Sequence, residues 1–287
     1  VVIEKKNIFV NMNSKNSIIL VDPDFDISST SEFDLLIKVT SDNFSYAIID
    51  VLANRLVVLY DQQECENVIA ALSDVLANDK YLGHSFKTTK ASVYTPNSIA
   101  IPNELFDAEN LNSYAKFFSV DQSEQLHLQS LSGQPYTSIF NLDHAMEELL
   151  ITKFGISKIY DHTAPLLAIA NVTSNKQLTL DFTVGAFCAV LTDNGKLIFE
   201  NCFETEDSEE FNYYLLLIIQ QLNVETTTTL VSVSGIIHED DKKYHAIKQS
   251  FPEVVFTDQH HQMLDVSILE DMPKQYYTSL LALQSCE

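Results

Sequence analysis

At 287 residues the chain exceeds what one hydrophobic core usually serves, and 46% hydrophobic against 20% charged residues suit two globular domains without a long disordered tail. Seventeen basic against forty acidic residues give a net charge of −23, shared evenly between the halves, and Arg55 is the only arginine. That field repels nucleic acid and anionic membranes, whose ligands bind by displacing counterions with cations, and it leaves almost no bidentate phosphate recognition.

Residues 35–60 predict three short strands, LLIKVTS, FSYAIIDV and RLVVLYD, with turn residues Asp42, Asn43 and Asn54 between them. A helix follows, with Val68, Ile69, Leu72, Val75 and Leu76 on one face and Asn78-Asp79 at its end. KASVYT predicts a further strand and Glu104–Phe118 a further helix. Residues 119–140 read as an inserted β-hairpin: Leu126, Leu128 and Leu131 alternate, and Gly133-Gln134-Pro135 turns the chain toward Tyr136, Ile139 and Phe140. Its edge offers backbone groups that a partner strand can join; the alternative is a hairpin packed down on its own lobe.

The same programme returns as QLTLDFTV, FCAVLTD and KLIFENCFE, then a helix carrying Phe211, Tyr214, Leu215, Ile218, Ile219 and Leu222. That helix is apolar almost all round, which predicts burial on more than one side. The strand TTLVSVSG, the helix Asp240–Ser250 and the strand EVVFT complete the block. Thr40 aligns with Thr183 and Phe44 with Phe187 at a constant offset, and Leu56 aligns with Leu197 because the second hairpin is two residues shorter. A meander, helix, parallel strand and helix, occurring twice, predict an α/β duplication with mixed sheets. The lobes fall at residues 1–172, which include the inserted hairpin, and 173–287, and a cleft is expected between them.

This layout resembles the actin-like ATPase superfold with its two ribonuclease-H-like lobes. The stretch TPNSIAIPNELFDAENLNSYAKFF, between the two meanders, resembles more closely an uncharacterised family of Bacteroidetes proteins classed as actin-like. The resemblance covers residues 30–260 and implies that each first hairpin turn cradles phosphates, that an acid on each first strand positions magnesium or water, and that a later glycine pair receives adenosine. The first turn falls on Lys38-Val39-Thr40-Ser41-Asp42-Asn43, where a lysine replaces the acid and glycine is missing. A phosphate cradle needs backbone N–H groups free of a Cβ, so this turn is depleted. The second turn keeps Asp181, Thr183 and Gly185, and Ser234-Gly235 matches the adenosine loop with one glycine of the pair. A strand-end aspartate bonded to its own turn, and glycines serving ordinary turns, account equally for these residues.

Other constellations read as structure. His260-His261, flanked by Asp258 and Asp265, suit a solvated loop, because adjacent residues on extended chain face opposite sides. His238-Glu239-Asp240-Asp241 and Glu204–Glu210 precede helices, where acids complement the dipole. Cys65, Cys188, Cys202 and Cys286 are scattered and predict reduced thiols, not a disulfide framework or zinc site; Cys188 and Cys202 lie in strand patterns. A cytoplasmic setting follows from that compartment logic. The longest apolar run, Tyr213–Ile219, is too short to span a bilayer, and no GxSxG, HExxH or GxGxxG signature occurs.

The expectation is therefore a non-catalytic actin-like scaffold without a cofactor, acting through protein partners, a second copy of the chain included. The rival is a weak Mg-ATP-binding switch, or an ATP-dependent phosphotransferase-type enzyme, using Asp181, Thr183, Gly185, Ser234 and Gly235.

Overall fold

The computed structural model describes residues 9–11, 16–27, 32–95, 97–118, 125–130, 134–170, 176–257 and 264–286. Two short strands, β1 (Phe9–Asn11) and β2 (Ser17–Val21), precede the first meander, β3 (Phe33–Val39), β4 (Phe44–Asp50) and β5 (Arg55–Gln62). Helix α1 (Val68–Asn78) starts where the Asn67 side chain accepts the Ala70 N–H at 2.9 Å, as an N-cap should. After β6 (Thr88–Val93) come β7 (Ser98–Pro102), α2 (Leu111–Tyr114), β8 (Gln125–Ser130), β9 (Tyr136–Leu142), α3 (His144–Glu148), β10 (Lys158–Asp161) and α4 (Ala164–Ile169). The second half contains β11 (Gln177–Thr183), β12 (Ala186–Asp193), β13 (Lys196–Glu204), α5 (Ser208–Gln221), β14 (Leu230–Gly235), α6 (Lys242–Ser250), β15 (Val254–Phe256) and α7 (Thr278–Ala282).

The first sheet has the order β1-β2-β5-β4-β3-β6-β10 and the second β13-β12-β11-β14-β15. In each, a meander is antiparallel and the two strands beyond its first member are parallel. The correspondence reaches single residues: Val39 faces Phe44 and Phe182 faces Phe187, and the outer pairing of each meander shifts register once, at Ile48/Ile49 and at Leu191/Thr192. A shared bulge is a specific feature, because it bends and twists both meanders at the same place.

Both sheets are buried on two faces, so their strands read as nearly unbroken apolar runs. Leu35 and Ile37 of β3 point to an outer core with Leu72 of α1 and Leu149 and Leu150 after α3. Phe211, Leu215 and Ile247 cover the outer face of the second sheet from α5 and α6. Between the sheets lies a third core, in which Leu36 and Ile49 meet Cys188 and Val190 across α4 and α7. The layers run helix, sheet, helix, sheet, helix.

Three expectations need correction, and the alternative left open for the hairpin is decided. Glu104–Phe118 is not one helix: only α2 and short 3-10 turns form there, with Leu105 and Phe117 largely exposed. The helix before the last parallel strand is instead α3, capped by Asp143 and continued by a π turn over Leu149–Lys153. Helix α5 buries one side through Phe211, Leu215 and Ile218 and exposes Tyr213 and Leu216. The hairpin β8–β9 forms but is no free arm, because β9 is buried throughout and lies between β7 and β8. Residues 119–124 and 131–133 of it lie outside the described residues. Cys188 and Cys202, read as reduced thiols, face each other across β12 and β13 with Cα atoms 4.0 Å apart and are joined as a disulfide.

The end of β14 presses on β11 so closely that a Cβ on Gly235 would lie 2.0 Å from the Phe182 carbonyl oxygen, and Gly235 has φ +81. Gly235→Ala should therefore lose about 3 kcal/mol or more of unfolding free energy in a denaturant titration. Gly83→Ala, whose methyl meets open space, should stay within about 0.5 kcal/mol of the parent. Equal effects of the two would refute the close-approach account.

Candidate functional site

Strands β3 and β11 occupy corresponding places in their sheets, and their C-terminal halves approach each other across the central layer. Lys38 Nζ donates to Asp181 Oδ2 at 2.8 Å, an ion pair between residues 143 apart in sequence, the offset that relates the two meanders. The lysine also donates to Ser279 Oγ of α7 at 2.6 Å. Ser234, at the end of β14, donates to Asp181 Oδ1 at 2.6 Å. Both oxygens of Asp181 are thus occupied, and its side chain is 5% exposed. Asp61 on β5 is also buried, and burial pushes its carboxyl above the usual range, opposed by the Gln63 hydrogen bond and the Lys38 charge.

The two turns beside this pair differ. In the first, Thr40 N–H donates to the Asn43 carbonyl at 2.8 Å and Asn43 N–H to Thr40 Oγ1 at 3.1 Å, so the turn closes on itself. The second uses Val184-Gly185, with Gly185 at φ +72, and its carbonyl accepts the Thr205 N–H at 2.7 Å. Thr183 lines a cavity of about 30 Å³ together with Lys38, Asp61, Tyr276 and Tyr277. Gly235 donates its N–H to the Gln275 carbonyl at 2.8 Å, and the Gln275 amide donates to the Ile237 carbonyl at 2.9 Å. The segment leading into α7 therefore lies against the Ser234-Gly235 loop. All five residues singled out from the sequence, Asp181, Thr183, Gly185, Ser234 and Gly235, lie around this junction. Their main partners, Lys38, Gln275 and Ser279, come from distant parts of the chain, and only the replacement of an acid by Lys38 was a sequence signal.

A second polar cluster lies farther along the same interlobe layer, where β10 runs into α4. Asp161 is fully buried; its Oδ1 accepts the Thr163 N–H, the Thr163 hydroxyl and the Ala164 N–H, and its Oδ2 accepts the Ser138 hydroxyl. Glu200 of β13 faces the same region; burial first, then the Asp161 charge, pushes its carboxyl up to about 8, against the pull of a Thr163 hydrogen bond. Burial lowers the His162 imidazole, with Asp161 opposing.

Of the acids before helices, those at α5 serve as read, whereas Asp241 stands at the N-cap position of α6 without a side-chain bond to the helix. Asp207 caps α5 by accepting the Glu209 and Glu210 N–H groups at 2.9 Å, and those bonds hold its carboxyl below the usual range. Asp241 accepts the His238 N–H at 2.8 Å, and His238 contacts the Tyr276 hydroxyl. Asp258 and His260-His261 lie outside the described residues. Arg55 pairs with Asp22 at 3.1 Å.

Two mixed sheets of matching strand order around a central pair of helices define the two-lobe actin-like ATPase fold, and solved structures bear this out. A Bacteroides thetaiotaomicron protein with an actin-like ATPase fold and unknown function superposes with a TM-score of 0.77 at 19% identity, covering 92% of this chain and 99% of that one. The PilM-PilN type IV pilus biogenesis complex contains a chain matched with a TM-score of 0.59 at 11% identity, covering 90% of this chain and 99% of that one. The chain belongs to the DUF3822 family, described as proteins of unknown function, whose model matches residues 22–254. No curated protein matches the sequence.

Removing one member of a buried ion pair strands the other charge. Lys38→Met alone and Asp181→Leu alone should each cost about 3–5 kcal/mol, and the double variant should recover most of it. Denaturant titrations of all four proteins measure this; additive losses would show that the pair is not coupled.

Proposed function

We propose that this chain is a non-catalytic actin-like scaffold whose nucleotide position is closed by its own side chains and which acts by binding a segment of a partner protein. The observation that carries the reading is the Lys38–Asp181 pair. Magnesium is held through carboxylate oxygens and phosphates, and here both Asp181 oxygens already accept hydrogen bonds. Ligand pockets usually enclose about 300 Å³ or more, whereas the cavity at this junction measures about 30 Å³, room for water only. Opening it would separate a buried ion pair and displace the chain around Gln275. The matched registers and bulges support an origin of the two lobes, residues 1–172 and 173–287, by internal duplication, after which the first turn lost its acid and its glycine.

The surface that suits a partner is a groove of about 760 Å³ between β7 and β13, each the edge strand of its sheet. Ile99, Pro102, Tyr136, Leu197, Ile198 and Phe199 give it apolar walls, and Glu104 gives it acid. An extended segment with alternating apolar and basic side chains fits both the edges and the charge of −23. The resemblance to a chain of the PilM-PilN complex is in keeping with a role in protein assembly. No helix among the described residues is long and apolar enough to cross a membrane.

Calorimetry with Mg-ATP should give no binding tighter than about 1 mM. Micromolar affinity that is lost in Asp181→Ala would overturn the scaffold reading in favour of an ATP switch. Selection of displayed random peptides on the full chain should enrich extended apolar-basic sequences whose binding is lost in Ile99→Lys/Ile198→Lys. Peptides that ignore this double substitution would move the docking surface elsewhere.

A further inference from the structure

We infer that, when reduced, Cys188 and Cys202 together with His162 form a binding site for a single zinc-type divalent ion, with Glu200 beside its fourth coordination position. A ring nitrogen of His162 and the two Sγ atoms all lie within 4.8 Å of one another. Tetrahedral zinc with sulfur at about 2.3 Å and nitrogen at about 2.0 Å sets its ligands roughly 3.3–3.8 Å apart, so modest side-chain rotations bring the three atoms onto one ion. The two cysteines are directly opposed on β12 and β13, and His162 stands at the β10–α4 junction of the other lobe. Three ligands from three elements therefore converge across the interlobe layer.

Two further observations point to a ligand there. His162 Nδ1 and Glu200 Oε2 are both fully enclosed and neither has a hydrogen-bond partner. Unpaired buried polar atoms are costly, and two of them around one point call for a positively charged or donating group. His162, Glu200 and Cys202 also line one cavity of about 80 Å³, which leaves room for an ion and a bound water. Glu200 precedes Cys202 by the two-residue spacing that puts both on one face of β13, so its carboxylate looks into the same space. Imidazole with two thiolates suits zinc better than magnesium or calcium, which take oxygen ligands.

The disulfide and the metal use the same two sulfurs, so the site is redox-gated. A dithiol reductant donates two electrons and two protons to the disulfide and is itself oxidised to its cyclic disulfide. Zn²⁺ then displaces the two thiol protons and bonds both thiolates. Oxidation by a disulfide of higher potential would reverse the sequence and release the ion.

The test uses the full chain, either air-oxidised or reduced with a phosphine under nitrogen, and titrates it with Zn²⁺ and with Co²⁺ as a spectroscopic stand-in. The reduced protein should bind one ion per chain, and cobalt should show thiolate charge-transfer bands with the visible absorption of a tetrahedral ion. The oxidised protein, which carries the same fold without any substitution, should show neither. His162→Ala should weaken zinc binding by at least about tenfold, and Cys202→Ser should abolish the charge-transfer band. Zinc should raise the unfolding temperature of the reduced parent and not of these variants. The inference is overturned if the reduced protein takes up no metal, if oxidised and reduced forms bind alike, or if His162→Ala and Cys202→Ser leave the affinity unchanged.

Discussion

The Lys38–Asp181 pair is the constraint on which the interlobe layer depends. Its two residues come from corresponding strands, one in each sheet, and they meet where apolar layers exclude water. Taking both charges out of water is expensive, and the cost is repaid only when geometry is good and the remaining donors and acceptors are satisfied. Here Ser234 completes the carboxylate and Ser279 completes the ammonium. The pair therefore does more than join two strands: it requires β14 and α7 to be in place as well. A change in the angle between the lobes would uncover a charge on each side.

A second buried lysine extends the same logic to the end of the chain. Lys90 on β6 is 8% exposed and donates to the carbonyls of Gln284 and Cys286 at 3.0 and 2.7 Å, while the Tyr160 hydroxyl reaches the Cys286 carbonyl at 3.1 Å. A cation at the C-terminal end of a helical turn meets the carbonyls that have no partner inside the turn.

The cysteine pair shows how a local irregularity decides chemistry. A straight two-residue hairpin turning at Asn194-Gly195 would set Cys188 opposite Asn201. The shift at Leu191/Thr192 advances the register by one residue and sets it opposite Cys202 instead. Without the bulge the two sulfurs would point to opposite faces of the sheet, since neighbouring strand residues alternate. The corresponding bulge in the first meander carries Ile48 opposite Val58 and has no cysteines, so the sulfur site belongs to the second lobe alone.

What the sequence determined by itself was what repeats locally. Strand-length apolar runs, the constant offset from Thr40 to Thr183 and from Phe44 to Phe187, and the asparagine and aspartate turns made the paired meanders and the actin-like layout legible, because burial on both faces writes itself into every strand residue. The resemblance to the actin-like superfold singled out Asp181, Thr183, Gly185, Ser234 and Gly235, and it marked Lys38 as a departure from the acid expected there. Tertiary structure alone decided what that departure means. The contact of Lys38 with Asp181 and Ser279, the docking of Gln275 on Gly235, and the meeting of His162 with Cys188 and Cys202 join residues whose local sequence carries no sign of one another. Periodicity reports which face of an element is buried, but not which distant polar group waits on the other side. The helix expected over Glu104–Phe118 was misjudged, and the packing of the β8–β9 hairpin stayed open, for a related reason: whether an amphipathic segment lies down on its lobe depends on the vacant surface it meets, and that surface exists only once the sheets are assembled.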